Sequence, residues 1–125
     1  MNVRKDLNGA AGRPLFNYQV LSEMLDDDKE AIWQVLEAFL EDMPVHIKNL
    51  KTAVESNDLE LIERLVHTIK GAAANIGGTA LSDSALRIEK SSSTTEMAAM
   101  SRGVMELESL FGQLKARIKE YYPRY

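Results

Sequence analysis

Asn57–Gly78, NDLELIERLVHTIKGAAANIGG, is the stretch that decides the fold. Set on a helix at about 100° per residue, it divides into two faces. Ile62, Leu65, Val66, Ile69, Ala72, Ala73 and Ile76 fall within one broad arc, which must be buried against other elements. The opposite face carries Glu60, Glu63, Arg64, His67, Lys70, Gly71, Ala74 and Asn75, all charged, polar or small. Asn57 followed by Glu60 reads as a capping box at the start, and Gly77 with Gly78 reads as the stop.

The neighbouring segments repeat this period. Upstream, Trp33, Leu36, Leu40, Met43, Ile47, Leu50 and Val54 recur at alternating spacings of three and four, a bundle seam. Asp26, Asp27 and Asp28 precede it as N-cap and first-turn carboxylates, and Pro44 within it is expected to kink or break the helix. A short helix over Tyr18 to Leu25 would present Val20, Leu21, Met24 and Leu25 as one apolar face. Downstream, a shorter helix carries Leu81, Ala85 and Ile88. A loop over Ser91 to Thr95 follows it, and Ser93 with Glu96 forms a second possible capping box. A last seam holds Met97, Met100, Val104, Leu107, Phe111, Leu114, Ile118 and Tyr121, and Pro123 stops it. β-branched alternation is absent. The expected fold is all-α, an antiparallel four-helix bundle with a short extra N-terminal helix; 1–14 is a flexible lead and 15–122 the domain.

Composition excludes much of the remaining chemistry. The 125 residues suit one domain, with hydrophobic residues at 45% and charged residues at 27%, near the averages of globular proteins. With no cysteine, disulfides, thiol nucleophiles and thiolate metal sites are impossible. The net charge of −4 disfavours broad contact with a nucleic-acid backbone. No apolar run approaches the roughly 20 residues that span a bilayer, so no membrane contact and a cytoplasmic setting are expected.

Imidazole chemistry must use one of the two histidines, His46 or His67. His67 stands on the polar face, exposed and titratable. One turn on, Lys70 sets an ammonium beside the ring, where it would favour the neutral nucleophilic form and neutralise an anion attached there. Gly71 costs about 1 kcal/mol in a helix interior relative to alanine, which suggests either a partner that approaches closely or tight helix–helix packing. Ala74 keeps the same strip low. These residues suit a ring nitrogen that receives a phosphoryl group from a docked partner. The bland reading is a plain surface histidine with a solvated lysine beside it. His46, which flanks the Trp33-to-Val54 seam in the register of Ile32, Phe39 and Ala53, reads as a boundary residue without special chemistry.

The segment His67-Thr68-Ile69-Lys70-Gly71-Ala72-Ala73-Ala74-Asn75-Ile76-Gly77 resembles the signature of histidine-containing phosphotransfer (HPt) domains of bacterial multistep phosphorelays, with His67, Lys70 and Gly71 on its H-x-x-K-G positions. Phe39-Leu40-Glu41-Asp42-Met43-Pro44 is similar to the family's preceding helix, Leu86-Arg87-Ile88-Glu89 to the motif after the turn, and Leu15-Phe16-Asn17 to the lead-in of such domains in hybrid sensor kinases. The resemblance implies that His67 is the phosphoacceptor, taking the group from the aspartyl phosphate of one receiver domain and passing it to another. It implies that Lys70 stabilises the phosphoryl group and that Gly71 gives the receiver room; docking is expected on the small surface of Gly71 and Ala74 with Glu63, Arg64 and Asn75 around it, Asn75 in a polar or helix-shaping role. No autokinase activity and no cofactor of its own are implied, the divalent metal belonging to the partner receiver of a response regulator or hybrid kinase. Both long seams can close within one chain, so a monomer is expected.

Two other functions remain in view. A sensor-kinase phosphoacceptor box would place an acidic residue after the histidine and a proline soon afterwards, whereas Thr68 follows His67 and no proline lies between His67 and Pro123. No glycine-rich nucleotide loop is present, so ATP chemistry by this chain is disfavoured. A phosphoacceptor domain of a chemotaxis-type kinase would share the motif core. A helical interaction module with an idle His67 is the third reading.

Overall fold

The structure, a computed structural model, describes residues 14–92 and 97–121. Five helices run through them: α1 (Tyr18–Met24), α2 (Lys29–Glu55), α3 (Leu59–Asn75), α4 (Thr79–Ser92) and α5 (Met97–Tyr121). Helices α2 to α5 each pack on the next, and α5 closes the ring against α2. The short links after α2 and α3 reverse the chain each time, giving an antiparallel bundle with α1 laid against α2. No helix among the described residues is long and apolar enough to cross a membrane.

One core runs the length of the bundle. Leu36 and Leu50 of α2, Ile62, Val66 and Ile69 of α3, Leu81, Ala85 and Ile88 of α4, and Met100, Leu107 and Leu114 of α5 are all buried. Each large side chain removed from water in this way contributes about 1.5–3 kcal/mol. The seams differ from the sequence pattern only at their edges. Phe39 is buried and Leu40 partly so, Leu110 joins the core, and Met24 and Tyr121 are exposed. Tyr121 instead stacks on Tyr18 with ring centroids 5.3 Å apart, while Phe16 meets both rings edge-on.

The helix ends explain several departures from expectation. Helix α2 ends at Ser56, after which Asn57 adopts the left-handed conformation (φ 54°) and the N–H groups of Asn57 and Asp58 return to the carbonyls of Val54 and Ala53. Asn57 therefore terminates α2, and Asp58 caps α3 by accepting from the Leu61 N–H at 3.2 Å. The expected Asn57–Glu60 capping box does not form. Asp26 and Asp27 are likewise left-handed (φ 52° and 56°) in the turn after α1, so Asp28 alone caps α2. Asp27 instead accepts from the hydroxyls of Tyr18 and Ser22.

Helix α2 continues through Pro44 without a break. The proline lies on the exposed side, and the buried seam of Phe39, Met43, Ile47 and Leu50 holds both halves in one register. Ser91 and Ser92, expected in a loop, belong to α4 instead. The Ser93–Glu96 box, the Pro123 stop and all of the lead except Pro14 lie outside the described residues.

Candidate functional site

Helix α3 is set by its buried face, which leaves the opposite strip outward. Ile62, Val66, Ile69, Ala73 and Ile76 are buried, with Leu65 and Ala72 partly so. The His67 side chain keeps 75% of its surface exposed. Glu63 and Arg64 are exposed one turn before it, and Gly71, Ala74 and Asn75 are exposed beyond it.

Gly71 has the simplest explanation to test. A Cβ built on it meets nothing within 4 Å, so the glycine does not serve packing against a neighbouring helix. What it does is lower the surface beside His67.

The Lys70 ammonium beside the ring is held in an ion pair. Its Nζ donates to Glu89 Oε1 of α4 at 2.8 Å, and Ser82 Oγ, also of α4, donates to the Lys70 carbonyl at 3.1 Å. The second oxygen of the same carboxylate, Glu89 Oε2, lies 3.8 Å from His67 Nδ1. The ring thus faces a carboxylate whose other oxygen is shared with the lysine. The Lys70 hydrogen bond holds the Glu89 carboxyl below its usual range; partial burial opposes this, and the charges of Lys70 and His67 reinforce it.

Two residues beyond the sequence-derived set belong to this surface. Glu89 reaches His67 only because α4 packs on α3, a tertiary relationship without a periodic signature along α3. His46 is half-buried and lines a shallow pocket of about 190 Å³ with Val35, Phe39, Asp42 and Met43 of α2 and with Ala72, Asn75 and Ile76. The register had already set His46 at the edge of the seam; the structure adds that this edge adjoins Asn75. Among the described residues no group of three or more histidine, aspartate or glutamate side chains is gathered as a cation would require.

The Hpt domain family model matches residues 34–120. The chain belongs to the Hpt domain family. Its matched span runs from α2 to the last turn of α5 and includes the whole His67 strip and Glu89. Among solved structures it is similar to histidine-containing phosphotransfer protein B (HptB) from Pseudomonas aeruginosa PAO1, with a TM-score of 0.81 at 20% sequence identity over 90% of this chain and 97% of that one. At that identity the likeness bears on the fold, which is the same helical bundle. No curated protein sequence matches the chain. Membership places this Hpt domain among the histidine phosphotransfer modules of phosphorelays.

Proposed function

We propose that His67 is the residue of this Hpt domain that carries the phosphoryl group, received from the aspartyl phosphate of one receiver domain and delivered to the aspartate of another. The observation that carries the reading is the exposed His67 ring with Nδ1 toward Glu89 and the open surface of Gly71 next to it. A carboxylate facing Nδ1 favours the tautomer that bears its hydrogen there, which leaves the lone pair on Nε2. Nε2 then attacks phosphorus. The N–P bond forms as the acyl O–P bond breaks, and the aspartate leaves as a carboxylate. With hydrogen kept on Nδ1 the phosphorylated ring is cationic, and Glu89 faces that charge.

Lys70 is the cation one turn from the ring, within reach of the phosphoryl oxygens once it leaves Glu89. The receiver docks over Gly71, Ala74 and Asn75, with Glu63 and Arg64 at the other side of the ring and the small pocket at His46 extending the surface toward α2. This chain acts as a carrier and not as an enzyme. The catalytic pocket and its divalent metal belong to the receiver, and the site needs no cofactor of its own. Both long seams close within one bundle, so the carrier works as a monomer in the compartment of its receivers, the cytoplasm.

Incubation with a phosphorylated receiver domain tests the reading. An acid-labile, base-stable label on the chain is expected. A chain that stays unlabelled by every receiver, and by the small donor phosphoramidate, would overturn it.

A further inference from the structure

One carboxylate serves two groups at this site. Glu89 Oε1 binds the Lys70 ammonium at 2.8 Å while Oε2 stands 3.8 Å from His67 Nδ1. Lys70 and Glu89 are each about one-third exposed, at 29% and 31%, whereas His67 is open to solvent. Ser82 ties the Lys70 main chain to α4 as well, so the lysine is held at both its backbone and its side chain by the helix that carries Glu89. A phosphoryl group on His67 would bring two negative charges beside this arrangement. It must then compete with Glu89 for the same ammonium.

We propose that Glu89 withholds Lys70 from the phosphoryl group on His67 and thereby keeps that group transferable. The inference rests on the reading of His67 as the acceptor. A lysine fully engaged by the phosphoryl oxygens would stabilise the phosphorylated state and turn the carrier into a sink. With Glu89 holding one end of the exchange, part of that stabilisation is spent on breaking the Lys70–Glu89 pair. No bond to phosphorus is made or broken by Glu89, which makes it a positioning residue.

Phosphoryl exchange with phosphoramidate in the presence of added ammonia provides the measurement, since phosphoramidate and His67 exchange one P–N bond for another with ammonia released. Phosphorus NMR reads the ratio of phosphorylated to free protein at fixed donor and ammonia. Glu89→Gln, which keeps the shape and removes the charge, is expected to shift the exchange constant about threefold toward the phosphorylated protein, the scale of a partly exposed ion pair. In a Lys70→Ala background the same substitution is expected to give a clearly smaller shift or none, because only the direct effect of the carboxylate is then removed, its repulsion of the phosphoryl oxygens offset by its attraction to the cationic ring. A Glu89→Gln constant equal to or below the wild-type value would overturn the inference, and so would an equal shift with and without Lys70. A purely structural Glu89 would show no dependence on Lys70. Wild-type protein that takes no phosphoryl group at His67 would instead defeat the underlying reading, a result distinct from either of these.

Discussion

The N–H of Asn17 donates to the carbonyl of Gly77 at 2.8 Å, fastening the lead-in segment to the end of the helix that carries His67. Gly77 sits at φ 83°, and a Cβ there would lie 2.2 Å from the Asn17 carbonyl oxygen. The stop after α3 is therefore also a docking point for the segment before α1. Gly77→Ala is expected to destabilise the fold by about 2 kcal/mol or more, combining left-handed strain with a backbone clash. Chemical denaturation measures it, and an unchanged midpoint would contradict the packing described.

Asp58 and Asn57 separate the two readings of the α2–α3 turn. Asp58 caps α3, so Asp58→Ala should cost about 1 kcal/mol. Asn57 holds a left-handed position instead, so Asn57→Gly should be neutral or slightly stabilising. If Asn57→Gly lost as much stability as Asp58→Ala in urea titrations, Asn57 would be doing more than terminating α2.

Gly71 occupies open space, and the fold has no need of it. Gly71→Ala should raise stability by about 0.5–1 kcal/mol through helix propensity alone. Gly71→Leu should leave the thermal midpoint at or above that of the wild type while lowering the rate of transfer from a receiver at least tenfold. Normal transfer with leucine in place would remove the close-approach argument.

The Lys70–Glu89 tie has a definite dependence on pH. Because the carboxyl is held below its usual range in the folded state, its contribution is complete at neutral pH and is lost as pH falls through that lowered value. Carbon NMR of the Glu89 side chain should therefore show a midpoint below the ordinary glutamate range, moving upward in Lys70→Ala. Identical midpoints in the two proteins would show that the lysine is not the cause.

Much of this arrangement was legible along the chain because helical periodicity reports one-dimensional order. The buried face of α3 and the opposite placement of His67 follow from spacing alone, and Gly77 with Gly78 marks the end of α3 correctly. Asn57 reads as a cap in the sequence because Asn and Asp suit both a left-handed C-terminal position and an N-cap, and only the backbone conformation distinguishes adjacent candidates. Pro44 was expected to interrupt α2, yet the seam on both sides of it outweighs one lost hydrogen bond. Glu89 could not be seen from α3 at all. Its contact with Lys70 and His67 exists only after α4 has packed on α3, so spacing along α3 sets the Lys70 ammonium beside the imidazole but does not reveal the ion pair to which it belongs.

The chain's two histidines make the central claim open to a direct measurement. After incubation with a phosphorylated receiver domain, the acid-labile label should be present on the wild-type protein and on His46→Gln, and absent from His67→Gln. Label retained by His67→Gln would contradict the account.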